Sequence, residues 1–307
     1  MTHDFFELNT ILSDKLKSNE PFSFVRIDNT MGFVLDSLHK NIFPDPNFYN
    51  ENTLIEGGVY PNNMDYAQDV VIPATLEAMT HCDILGFVDI SGDISRSTNF
   101  INLFGQKPMF FGHDSILVLD PCALLNVTGE HYLENPWPTY LKDKKVLVVS
   151  THTETIKHQW KNIDKIWGSN KEKIAPFDLV GVIKSPYHPI MDSNQYPGCD
   201  TWLDTVQYIK DQIDTYDYDV LIAGSTTSSP MYVGHAKNNG KVGIQTGGVH
   251  QLFFGILGYR WSPEANNGYK PWAKLYNEHW MYPLSIDEPV NRDKYKFLET
   301  NYAYWKR

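Results

Sequence analysis

Short apolar runs recur along the chain, most of them followed, directly or after a loop, by a stretch whose apolar positions return every three or four residues. Phe22 to Ile27, Ile84 to Val88, Val146 to Val149, Phe177 to Ile183, Val220 to Ala223 and Val242 to Ile244 read as buried strands. Helical spacing predicts helices over 5–17, from Met31 to about Leu38, over 64–80, from Thr151 or Thr153 to about Trp167, over 200–214 and over 231–239. Residues 41–63, rich in Asn and Pro, read as an ordered loop, 89–99 as a polar loop and 185–199 as a Pro-containing one. Residues 105–143 follow neither period, and Asn135-Pro136-Trp137-Pro138 marks a non-helical connection there.

Strands apolar on both faces, alternating with helices, predict an α/β fold: a doubly wound, mostly parallel, Rossmann-like sheet covered on both sides. With no repeat, no low-complexity tract and no linker in the sequence, residues 1–307 are expected to form a single domain. Its aromatic-rich C-terminal extension, about 262–307 with Trp272, Trp280 and Trp305, should wrap back across the sheet.

Composition narrows the partners. The chain is 42% hydrophobic and 21% charged, as an ordinary globular protein is, and its net charge is −11 without a Lys/Arg block. That balance argues against nucleic acid or an anionic membrane as the main partner. Cys82, Cys122 and Cys199 lie far apart with no CxxC, which fits a reducing compartment, and the N-terminal residues lack the apolar core of a signal peptide. No run approaches a membrane span, so the expected location is cytoplasmic, and Asn126-Val127-Thr128 reads as a chance sequon.

In a doubly wound sheet ligands sit at the carboxyl ends of the strands. Four loops leave those ends with suggestive chemistry: 26–30 (RIDNT), 150–153 (STHT), 223–229 (AGSTTSS) and 246–248 (TGG). Thr246-Gly247-Gly248 opens a helix-compatible apolar run, a way of presenting bare N–H groups to an anion, with Gln251 one turn further on. Ser225, Thr226 and Thr227 belong to a run of five hydroxyl residues, more than a helix start needs. Arg26, in an otherwise apolar strand, needs either a carboxylate or a ligand phosphate. His152 suits a base or a phosphate donor, or else a first-turn histidine facing solvent or a carbonyl. Asp28 and Asn29 suit either a helix cap or a ligand contact. Walker A, GxGxxG, GxSxG and HExxH motifs are absent from the sequence.

Taken in order, the blocks FSFVRIDNTMG (22–32), PWPTYLKDKKVLVVSTHTETIKHQW (136–160), TWLDTVQYI (201–209), DYDVLIAGSTTSSP (217–230), GGVHQLFFGILGYRW (247–261) and YNEHWMYP (276–283) resemble the bacterial glycosyltransferases of the GT-D type. The resemblance implies a Rossmann-like nucleotide-sugar transferase that moves a sugar from a nucleotide-sugar donor to a hydroxyl of a glycan or glycosylated acceptor. The family's strand-one loop reads R-hydrophobic-GDGE and carries an Asp-x-Glu pair linked to metal or catalysis. Aligned without a gap, its Asp becomes Asn29 and its Glu becomes Met31; shifted by one, Asp28 restores the Asp and Thr30 replaces the Glu.

At least one carboxylate is missing either way, which weakens a Mn²⁺ or Mg²⁺ site, although Asp28 with substrate phosphates could still hold the ion. On this reading Asp28 and Asn29 serve catalysis, with Asp28 the metal ligand. Arg26, His152, Ser225, Thr226, Thr227, Gly247, Gly248 and Gln251 bind substrate. The alternative is a non-catalytic nucleotide-sugar or glycan-binding relative that has lost the carboxylate pair. A Rossmann-like enzyme acting on another phosphorylated metabolite is the third.

Overall fold

The computed structural model describes residues 5–27, 57–61, 63–89, 109–112, 133–185, 196, 198–224, 227–262, 274–289 and 304–305. Its centre is one sheet of seven parallel strands: β1 (Phe22–Ile27), β2 (Ile84–Asp89), β3 (Met109–Gly112), β4 (Lys145–Ser150), β5 (Asp178–Lys184), β6 (Val220–Ala223) and β7 (Val242–Gln245). They lie in the order β3-β2-β1-β7-β6-β4-β5, every neighbouring pair parallel. This is the expected Rossmann-like α/β fold, and it gathers strands from residue 22 to residue 245 into one sheet. β3 emerges from the stretch whose periodicity was silent.

Among the described residues, the helices of eight residues or more are α1 (Phe5–Ser18), α2 (Ile72–Thr80), α3 (Thr153–Trp160), α4 (Trp202–Ile213) and α5 (Ser229–Asn238). Two predicted helices are interrupted. The one expected over 64–80 widens into a π-turn at Ala67–Val71. Pro73 has no N–H for the carbonyl one turn back, and the wider turn relieves the clash of its ring. The one expected to reach Trp167 breaks after Trp160, because Asn162 leaves the helical region (φ −114°, ψ 10°) and a separate short helix starts at Ile163. The helix predicted at Met31–Leu38 lies outside the described residues.

Alternation along the strands divides the core. Phe22, Phe24, Val146, Val148, Val220, Ile222, Val242 and Ile244 face one side, packed with α1, α3 and Leu252–Phe254. Leu147, Val149, Ile183 and Leu221 face the other, packed with α2, α4 and α5. Each such fully buried side chain contributes about 1.5–3 kcal/mol relative to exposure. The segregation follows from the handedness of parallel crossovers. β4→β5 steps towards one sheet edge and puts α3 on the first face, whereas β5→β6→β7 steps back and puts α4 and α5 on the second.

The C-terminal region joins the first face. Trp261, Trp280 and Trp305 are buried, and Ile256 and Met281 form a parallel bridge. Trp272 lies outside the described residues. Among the described residues no helix is long and apolar enough to cross a membrane.

Candidate functional site

At the carboxyl end of the sheet the strands β4, β6, β7 and β1 are neighbours. The chain leaves β4 and β7 towards the first face and β6 towards the second. Onward chains therefore diverge between β4 and β6 and between β6 and β7, the arrangement that opens a crevice at a strand end.

The β4 and β7 ends meet through a buried network. Ser150 ends β4 on the first face, and its Oγ lies 2.6 Å from Nε2 of His250, the first residue of the short helix His250–Phe253. His250 Nδ1 donates to the Gly247 carbonyl at 2.7 Å, which leaves Nε2 as the acceptor of the Ser150 hydroxyl proton. The imidazole lies flat on the strand-end residue Gly224, where a methyl group would run into the ring. One histidine thus ties together the ends of β4, β6 and β7.

His152 lies behind it, stacked at 6.4 Å. Gln251 donates its Nε2 to the Ile256 carbonyl, so its Oε1 faces His152 Nε2 at 3.2 Å and makes that nitrogen the protonated one. His152 Nδ1 is then a bare lone pair, buried and without a partner, and the Trp305 ring stands edge-on at 4.7 Å. Burial is the main reason that both imidazoles stay neutral. It pushes His152 down to about 3, with His250 and Lys184 adding to the effect against the Gln251 hydrogen bond. It pushes His250 down to about 4, against the Gly247 carbonyl. Neither ring faces solvent, so the expected solvent-facing alternative for His152 does not hold.

The start of α3, which follows β4, is occupied from within. His152 occupies the N-cap position without a side-chain cap. Asp287, 3% exposed and far along the chain, accepts instead from Glu154 N (3.1 Å), Thr155 N (2.7 Å) and Thr155 Oγ1 (2.6 Å). A carboxylate at the positive end of a helix is well placed, and here it fills the position that an anionic ligand would take.

The β7–β1 side is different. Arg26 is on the first face near the end of β1, and its Nε is buried without a hydrogen bond. Its Nη1 stands 2.5 Å from where a Cβ would be on Gly247, whose φ of +62° also favours glycine. Gly248 needs to be glycine for a second reason, because the Tyr304 ring lies against it, held by Arg260 Nη1 donating to the Tyr304 hydroxyl at 3.2 Å. The close approach that these glycines permit is made by the chain's own Arg26 and Tyr304. The run after them is also shorter than its apolar pattern suggests: one 3₁₀ turn at Gly247–Val249, then four helical residues. On the second face of β7, Gln245 is buried and its Oε1 has no partner.

Of the residues singled out in the sequence, Arg26, Gly247, Gly248, Gln251 and His152 come together at this end. Gln251, fully buried, spends its carboxamide on His152 and Ile256. Thr227 donates its hydroxyl to the Gly57 carbonyl. Asp28, Asn29, Ser225 and Thr226 lie outside the described residues. Among the described residues no group of three or more His, Cys, Asp or Glu could hold a metal ion. Sequence reasoning placed Ser150 in a candidate loop without a role, and it missed Gln245, His250 and Asp287. A polar residue ending an otherwise apolar strand was the signal for Gln245, whereas nothing local marks Asp287.

Comparison of the chain with protein-family models, with curated proteins and with solved structures gives no match in any of the three. The glycosyltransferase resemblance therefore rests on the sequence blocks that carry it.

Proposed function

We propose that the chain is a nucleotide-sugar-dependent glycosyltransferase whose donor site is the crevice at the carboxyl ends of β1, β7 and β6. The observation that carries this reading is Arg26: a guanidinium with a buried, unpartnered Nε, lying over the Gly247 turn that follows β7. Arginine matches phosphate oxygens with a planar fork of N–H donors. In glycosyl transfer the anomeric C–O bond breaks and negative charge develops on the departing diphosphate, which a fixed cation stabilises. Arg26 and the Gly247–Gly248 backbone would hold the diphosphate. The hydroxyls of Ser225–Thr227 would meet the ribose or sugar, and Asp28 with Asn29 would serve the glycan acceptor or a divalent metal. His152 and Gln251 would stiffen the floor of the site.

The replacement of the family's carboxylate pair by Asn29 and Met31 favours a second reading, a nucleotide-sugar or glycan binder without turnover. One experiment separates them. Thermal unfolding is followed with a panel of nucleoside diphosphates and nucleotide-sugars, with and without Mn²⁺, beside the Arg26→Gln variant. A ligand at about 100 times its dissociation constant adds about 2.7 kcal/mol, a shift of a few degrees. The expected result is stabilisation of the wild type by one nucleotide-sugar and loss of most of that shift in Arg26→Gln. Release of nucleoside diphosphate with an acceptor present supports transfer, and binding without release supports the binder. A flat panel at saturating concentrations refutes both.

A further inference from the structure

Gln245 is 3% exposed and its Oε1 makes no hydrogen bond. A buried carbonyl oxygen left unsatisfied costs stability, and such positions in a folded chain call for a partner. The partner's place follows from register. Gly243, two residues earlier on the same face of β7, lies so close to Val233 of α5 that a Cβ would stand 2.5 Å from the Val233 carbonyl oxygen. Two strand residues advance about 6.6 Å, which at about 1.5 Å per helical residue is four to five residues along the antiparallel crossover helix. Gln245 is therefore level with Ser228–Ser229, where α5 begins and the hydroxyl-rich loop ends.

Arg26 supplies the complement. β1 and β7 pair Phe24 with Ile244, so Arg26 and Gln245 stand within one residue of each other in register, on opposite faces of adjacent strands. A ligand lying across the carboxyl edge of these two strands would have a cationic N–H donor on one side and an unsatisfied carbonyl acceptor on the other. Those groups match a molecule with a phosphate at one end and a ring hydroxyl at the other.

We propose that Gln245 Oε1 accepts a hydrogen bond from a sugar-ring hydroxyl of the ligand whose phosphate faces Arg26, which makes Gln245 a specificity-determining residue. This rests on the nucleotide-sugar reading above. The hydroxyl has two sources, the ribose or the transferred sugar, and the experiment distinguishes them.

Calorimetric titration compares wild type with Gln245→Met, which keeps the side-chain volume and removes the acceptor. The probes are the nucleoside diphosphate that stabilises the protein most, its 2′-deoxy and 3′-deoxy counterparts, and the corresponding nucleotide-sugar. Loss of one hydrogen bond to a buried acceptor is expected to weaken binding about tenfold. If the ribose is read, Gln245→Met weakens the nucleoside diphosphate and leaves one deoxy counterpart unaffected. If the transferred sugar is read, only the nucleotide-sugar weakens. Without ligand, the midpoint of Gln245→Met should equal or exceed that of wild type, since an unsatisfied group has been removed.

Equal affinity of both proteins for the nucleoside diphosphate and the nucleotide-sugar overturns the proposal while leaving the transferase reading intact. Absence of nucleotide binding to wild type removes both. Should Gln245→Met not fold, the wild type decides alone with the ribose-deoxy counterparts and nucleotide-sugars deoxygenated on the sugar ring. Loss of affinity at one position supports the contact, and no loss at any position overturns it.

Discussion

Acid should destabilise this fold through His152 and His250 as soon as pH falls below the ordinary histidine range. In the unfolded chain a histidine takes up its proton near pH 6.5. In the folded state burial holds His152 near 3 and His250 near 4, and His250 adds to the lowering at His152. Both folded values are depressed, so the stabilisation is fully present above pH 6.5 and is lost as pH falls towards 4 and then 3. At pH 5 an unfolded histidine is almost wholly protonated and a folded one is not. Each group has then cost about 2 kcal/mol relative to neutral pH, about 4 kcal/mol for the pair. That is a large fraction of the 5–15 kcal/mol or so that keeps a typical domain folded.

Urea denaturation followed by tryptophan fluorescence at pH 7, 6 and 5 measures the loss directly. The difference in slope between wild type and variants lacking these rings isolates their contribution from that of every other titrating group. His250→Gln should lose roughly half of the slope, and His152→Gln with His250→Gln most of it. A wild-type stability flat between pH 7 and 5, or a full slope retained in the double variant, would refute the assignment of two neutral, buried rings.

Two further substitutions test the architecture around the site. Gly224→Ala places a methyl group in the His250 ring, which cannot swing away without breaking its bonds to Ser150 and Gly247. It should cost about 1–3 kcal/mol by urea denaturation, and a neutral effect would mean that the ring is not held there. Asp287→Ala leaves two N–H groups at the start of α3 and the Thr155 hydroxyl without their acceptor. A loss of about 2 kcal/mol is expected, with Asp287→Asn intermediate, and a change under about 0.5 kcal/mol would remove Asp287 from the capping role.

The strands were legible because burial on both faces writes itself as a continuous apolar run, as at Val146–Val149 and Val220–Ala223. Capping left a local trace as well: Thr201 and Asp204 form a capping box three residues apart at the start of α4. Gly247 could be placed at a special turn from its neighbours, but the reason for it could not, since Arg26 reaches it from a strand more than two hundred residues earlier. β3 escaped because a four-residue strand within an aperiodic stretch carries too little pattern to register.

What the order of residues determined by itself was the α/β class, the sequence of elements and the ends of strands at which polar residues cluster. Those depend on periodicity and on groups a few residues apart. The tertiary structure alone decided which of those ends is closed. Asp287 seals the helix after β4, His250 locks three strand ends and Trp305 covers His152, all through contacts between segments remote in the chain. It also decided which groups stay unpaired, as Arg26 Nε and Gln245 Oε1 do, because a missing partner is a property of packing that no local pattern encodes.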